Sequence, residues 1–105
     1  MFTSYNEYEL LEIFESEPVA IGESEAGMFI CRKEDAFGFK LTMTVSIYER
    51  ECLLALTYPN LKAPIFDLKL VEVQKISTKN AVLNIDYCEK TISIRFNPSF
   101  SVSNT

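Results

Sequence analysis

The clearest regularity in the chain is a strict two-residue alternation. Phe39, Leu41, Met43, Val45 and Ile47 are apolar, and Lys40, Thr42, Thr44, Ser46 and Tyr48 separate them. Side chains of a strand point to opposite faces in turn, so this spacing predicts a strand with one buried face. After Glu49-Arg50-Glu51 a second strand, Cys52 to Tyr58, is close enough to pair with it as an antiparallel hairpin, and Pro59-Asn60 closes it. Residues 65 to 76 read as one more strand, with Phe66, Leu68 and Leu70 on one face. Val71 and Val73 take the other parity, which predicts a bulge near Leu70 or Val71. Val82 to Tyr87 and Thr91 to Phe96 form a last pair across a turn at Cys88-Glu89-Lys90, with Pro98 as the stop. Two weaker strands, Val19 to Glu23 and Met28 to Arg32, are joined by the turn Glu23-Ser24-Glu25-Ala26-Gly27. The closing residues 99 to 105 read as a loose tail, with Phe100 and Val102 able to dock.

Ahead of the strands the period changes to that of a helix. Ser4-Tyr5-Asn6-Glu7 has the capping-box form, in which hydroxyl and carboxylate satisfy free backbone donors, so Ser4 is the expected cap. Leu10, Leu11, Ile13 and Phe14 then share one arc, and Tyr5, Tyr8, Glu9, Glu12 and Glu15 the opposite one. Pro18 disfavours helical geometry at Glu17 and is the expected terminator. Tight turns at regular intervals and connections too short for crossovers make the fold mostly β. The prediction is an antiparallel β-sandwich or partly open barrel of six or seven strands with one short N-terminal helix, in a single domain spanning residues 1–105.

Charge changes this picture more than composition does. The 105 residues carry a net charge of −5. Residues 1–31 contain seven glutamates (Glu7, Glu9, Glu12, Glu15, Glu17, Glu23 and Glu25) and no Lys or Arg, whereas the rest of the chain has eight acidic against ten basic residues. The negative field therefore belongs to the N-terminal third. It repels nucleic acid and anionic membrane and attracts a cationic surface. Like charges three or four apart cost a helix about 0.2–0.5 kcal/mol per pair, and Glu9, Glu12 and Glu15 form two such pairs. A solvated face usually mixes signs, so a run of one sign favours partner binding over mere solubility. Tyr5 and Tyr8 lie on that arc; they either anchor a partner, as tyrosines do at binding hot spots, or pack under the helix end.

Several chemistries are excluded or weakened. The chain has no histidine, which removes the commonest general base, metal ligand and partner of a nucleophile. Gly22, Gly27 and Gly38 fit neither phosphate-binding spacing. With fifteen acidic residues, some carboxylate pair is inevitable and carries no glycosidase signal by itself. Glutamates on a helix face do not make a calcium loop. Cys31, Cys52 and Cys88 are odd in number and lack metal spacing; they read as reduced core or turn residues of a cytoplasmic protein. No apolar run approaches the length of a membrane span. The expectation is therefore a non-enzyme without cofactor or metal.

The stretch Lys40 to Tyr48 running into Leu53 to Tyr58 resembles the β-meanders of small immunity proteins that protect bacteria from contact-dependent growth inhibition and other polymorphic toxins. The resemblance covers about half the chain and carries no residue-level motif. It implies binding to a cognate toxin domain, often a nuclease, in a heterodimer formed in the cytoplasm, with the toxin's active site or substrate groove blocked. Tyr5, Tyr8, Glu9, Glu12, Glu15, Glu17, Glu23 and Glu25 are the candidate contacts with such a basic partner. Two other classes stay open. A carbohydrate-binding β-sandwich would use exposed rings such as Tyr48, Tyr58 or Phe66, and a structural subunit of a larger assembly would show open edge strands and an apolar patch.

Overall fold

A computed structural model describes residues 2–23, 26–96 and 100–104. The described residues form one helix, α1 (Glu7–Phe14), and nine strands: β1 (Val19–Ala20), β2 (Met28–Glu34), β3 (Lys40–Ser46), β4 (Glu51–Thr57), β5 (Phe66–Leu70), β6 (Val73–Lys79), β7 (Val82–Tyr87), β8 (Lys90–Arg95) and β9 (Ser101–Asn104). They make two antiparallel sheets, each a meander of sequential neighbours, in the orders β1-β2-β3-β4-β5 and β6-β7-β8-β9. Neither is a closed barrel. The inward residues of both sheets join one core: Phe29, Cys31, Leu41, Met43, Val45, Cys52 and Leu54 from the first, and Val73, Ile76, Leu83, Ile85, Ile92 and Ile94 from the second. The predicted alternation in β3 holds from Lys40 to Val45, since Leu41, Met43 and Val45 are fully buried and Thr42 and Thr44 are not, and it breaks at the strand's end, where Ser46 is buried and Ile47 only half-buried.

Two expectations are corrected by the backbone. Residues 65 to 76 are not one bulged strand. β5 pairs with β4 in the first sheet, the chain turns at Val71-Glu72, and β6 opens the second sheet. Glu72 takes a left-handed φ of 54°, and Val73 N–H donates to Arg50 O at 2.9 Å. A true register irregularity lies just beyond, between Val73 and Lys75. The parity change was thus the mark of a chain leaving one layer for another. The tail is also a strand: β9 pairs with β8, and the Phe100 ring packs edge-on against Phe96 at 5.2 Å. The predicted stop at Pro98 lies outside the described residues, as do Ser24 and Glu25 of the predicted turn.

The hairpins of the second sheet are tighter than expected. Lys79 pairs with Val82 and Tyr87 with Lys90, leaving two-residue loops at Asn80-Ala81 and Cys88-Glu89. All four loop residues have positive φ, the type I′ geometry whose twist matches that of the strands it joins.

The helix is shorter and differently capped. Asn6, not Ser4, is the N-cap, and its Oδ1 accepts from Tyr8 N–H at 2.9 Å and Glu9 N–H at 3.2 Å. Ser4 is used by the sheet instead: its N–H donates to Gln74 O, and its carbonyl accepts from Ile76 N–H. The helix ends at Phe14, with Glu15 left-handed at φ 57°, before Pro18 acts. Leu10, Ile13 and Phe14 are buried and Leu11 is only half-buried. The buried arc sets α1 against β2 of one sheet and β6 of the other, with Phe14 packed edge-on to Phe96 at 5.1 Å.

Candidate partner-binding surface

Because its apolar arc is fixed against both sheets, α1 presents the opposite arc outward, as the sequence predicts. The glutamates on it have different fates. Glu9 Oε1 accepts from Thr78 N–H at 3.0 Å and faces the Thr78 hydroxyl at 3.5 Å. It thereby satisfies a backbone donor on β6, an edge strand. Glu15 Oε2 forms an ion pair with Lys33 Nζ at 2.9 Å. The sequence showed no cation among residues 1–31, but the fold supplies one from β2 and an amide from β6. Glu12, Glu7, Glu17 and Glu23 are exposed; Glu25 lies outside the described residues.

Glu9, Glu12 and Glu15 line a cleft of about 640 Å³. Its other wall is the β2–β3 hairpin, which adds Glu34 and Asp35, and Lys33 and Lys79 are the cations beside them. Five carboxylates against two ammonium groups leave the cleft negative. Asp35 Oδ1 accepts from Phe37 N–H and Phe39 N–H, both at 2.9 Å, which closes the hairpin; its Oδ2 is buried and has no hydrogen-bond partner among the described residues. Glu34 and Asp35 are site residues that the sequence pattern did not single out, because only the hairpin's return brings them opposite α1.

The tyrosines lie at the other end of the helix. Tyr5 stacks at a tilt on Phe29, with ring centroids 5.1 Å apart, and lines a second cavity of about 180 Å³ with Glu7, Pro18, Gly27 and Ile47. Burial raises the pKa of its hydroxyl, and the Glu7 charge and Tyr48 raise it further. Tyr5 therefore partly meets both alternatives, half packed and still 37% exposed. Tyr8 is 80% exposed. The predicted residues thus fall into two groups rather than one continuous site.

The cysteines sit where no reactive thiol is needed. Cys31 and Cys52 are in the core, and burial pushes both thiols up to about 12. Cys88 occupies a turn, with Sγ 3.0 Å from Glu72 Oε2; that hydrogen bond is the main cause of its raised pKa. Among the described residues no group of three or more Cys, Asp or Glu side chains is placed to hold a metal ion, and no helix is long and apolar enough to cross a membrane.

No protein-family model matches the chain, and no curated protein matches it. A solved structure does. One chain of a contact-dependent growth inhibition toxin–immunity protein complex from Klebsiella pneumoniae 342 superimposes with a TM-score of 0.81 at 22% identity, over 100% of this chain and 98% of that one. The two share a fold. The likeness runs through both sheets and α1, well beyond the β3–β4 meander whose pattern first suggested it.

Proposed function

We propose that this protein is an immunity-type inhibitor, which binds a cognate toxin domain inside the cell and covers its active site or substrate groove. The observation that carries this is the end-to-end likeness in fold to a chain of a toxin–immunity complex. Two properties of the chain favour the inhibitor's role over the toxin's. It lacks histidine, the usual acid–base group, and the outward arc of its helix is acidic. A toxin that cleaves RNA or DNA needs Lys and Arg to neutralise phosphates, so a basic nuclease domain is the partner that this charge suits. Complementary charge would speed capture, with Glu7, Glu12, Glu17, Glu23 and Glu25 supplying the long-range field. Tyr5 and Tyr8 contribute contact area. Glu9 and Glu15 hold β6 and β2 and border the separate acidic cleft with Glu12.

A flat row of rings, the platform a carbohydrate would need, is not favoured by the angles: Phe2 and Tyr48 meet at 77°, and Phe39 and Tyr58 at 51°.

The test is protection. The toxin domains encoded in the same genome, beginning with any in the neighbouring reading frame, are induced with and without this chain. Survival only when the chain is present supports the inhibitor role, and arrest by the chain alone, or no rescue from any of them, overturns it. For a toxin that is neutralised, charge reversal of Glu7, Glu12 and Glu17 to Lys should slow association at low salt and leave the rate at high salt little changed.

A further inference from the structure

One open edge of the fold is complementary to itself. β5 ends the first sheet, and no strand among the described residues pairs with its outer side. The other edges are shorter or already occupied. β1 has two residues and β9 four, while β6 carries the bridge from Ser4 to Lys75 and gives Thr78 N–H to Glu9. β5 has five residues, and its middle three, Asp67, Leu68 and Lys69, are exposed.

The pairing with β4 decides which backbone groups point off the sheet. Leu56 O accepts from Ile65 N–H at 2.7 Å, so the backbone groups of Leu56 face β5, and by the alternation of a strand those of Leu54 and Cys52 do too. Phe66, Leu68 and Leu70 are their register partners and turn their own N–H and C=O groups towards β4. Asp67 and Lys69 therefore present theirs outward, as an unpaired template for another extended chain.

The side chains select which chain. In an antiparallel pair of two β5 strands related by a twofold axis at Leu68, Asp67 of each copy stands opposite Lys69 of the other. These are the hydrogen-bonded positions, so each such pair exchanges both backbone bonds, and opposite charges directly across from each other stabilise the pairing. A slip to the next twofold register sets Asp67 against Asp67 or Lys69 against Lys69, which is repulsive. Lys69 Nζ lies 3.4 Å from Glu51 Oε2, and Asp67 has no ion pair among the described residues, so the carboxylate that this register needs is free. Leu68 shares a face with buried Leu54 and Leu70 but is 38% exposed. At the axis it meets Leu68 of the second copy in a non-hydrogen-bonded pair, where opposing side chains are closest.

We infer that the chain forms a twofold dimer through β5, with a second copy of itself as the occupant of that edge, so that two five-stranded sheets become one. α1 packs on β2 and β6, and β5 lies three strands from β2. Each copy therefore keeps free the surface proposed to meet the toxin, and the dimer stands or falls separately from the inhibitor role.

The experiment uses the full chain alone, with mass measured by sedimentation and folding checked by circular dichroism. The wild-type chain should dimerise with rising concentration. Asp67→Lys and Lys69→Asp, which set like charges across the strands, should each weaken self-association by about tenfold or more. An equal mixture of the two should recover dimers, since each Lys then faces an Asp. In a Cys88→Ser background, mild oxidation should convert Leu68→Cys into a disulfide-linked dimer, because Cα atoms at that site are about 4.5 Å apart, within the span of a disulfide. Leu61→Cys, at a more exposed position (55%) outside the strand, should cross-link far more slowly. A chain that stays monomeric up to millimolar concentration overturns the pairing, whether or not the edge then takes a strand of the toxin. So do dimers that neither single charge variant weakens, and so does equal cross-linking of Leu68→Cys and Leu61→Cys. None of these results touches the protection test of the inhibitor role.

Discussion

Replacing Glu9 by Ala separates the glutamate that holds the fold from those free to meet a partner. The substitution leaves Thr78 N–H, on an edge strand, without the carboxylate that accepts from it at 3.0 Å. Hydrogen bonds to charged groups contribute about 1.5–3 kcal/mol. Because Glu9 is half exposed and water can replace part of the bond, the low end applies, at about 1.5 kcal/mol. Unfolding entropy near 2.1 cal/mol/K per residue, over 105 residues, turns that loss into a fall in Tm of roughly 7 °C. Glu9→Gln keeps an acceptor at the same reach and should recover at least half of the loss. Glu12→Ala, on the same helix face, relieves repulsion and improves helix propensity, so it should change stability by less than about 0.5 kcal/mol. Urea unfolding followed by circular dichroism reads all three variants. Glu9→Ala with wild-type stability, or Glu9→Gln as unstable as Glu9→Ala, would refute the assignment and return Glu9 to the freely exposed set.

Three further outcomes are expected. Asn6→Ala should cost about 1 kcal/mol by removing the cap acceptor, whereas Ser4→Ala should cost far less, because the Ser4 backbone rather than its hydroxyl is engaged; equal costs in thermal unfolding would contradict the cap assignment. At pH 8 the buried thiols of Cys31 and Cys52 should resist a thiol reagent in the native protein and react in guanidinium, since a pKa of about 12 leaves almost no thiolate. The same shift has a stability consequence of fixed sign. These thiols ionise more readily when unfolded, so their contribution is intact below an unfolded pKa of about 8.5 and is lost as pH rises from there towards about 12. Alkaline urea titrations should show that decline, and Cys31→Val with Cys52→Val should flatten it.

What was legible in the sequence followed from burial geometry. β3 was plain because its faces differ in polarity from Lys40 to Val45, and β4 because a short apolar run, Cys52 to Leu56, follows it after a tight turn. The apolar faces of β7 and β8 followed from parity, but the register that sets Leu83 opposite Ile94 and Ile85 opposite Ile92 did not, because it depends on a two-residue turn where Cys88-Glu89-Lys90 read as three. The passage from β5 to β6 was not legible, because it depends on a left-handed Glu72 where no Gly or Pro marks a break. The cap was ambiguous for a different reason: Ser4 and Asn6 each have a glutamate three residues on. Only the pairing of Ser4 with β6 decides between them. The acidic face was read correctly as a face, but its charges looked unpaired because Lys33 and Thr78 reach it through the fold rather than along the chain. The contact of Phe2 with Tyr48 was not legible, since a residue near the start and one in the β3–β4 turn have no sequence relation until Thr3 N–H donates to Ile47 O.

Thr3 and Ser4, whose bonds strap the first sheet's Ile47 to β6 of the second, bear on how the protein is made. Each sheet is a run of neighbouring hairpins, which can form soon after its own residues leave the ribosome. The strap is synthesised among the first residues, yet its bonds reach Ile47, Val73, Gln74 and Ile76. It is complete only when about three quarters of the chain has emerged. Its bonds to Val73, Gln74 and Ile76 are therefore made late, once the second sheet has begun to form, whereas its bond to Ile47 needs only the first half of the chain.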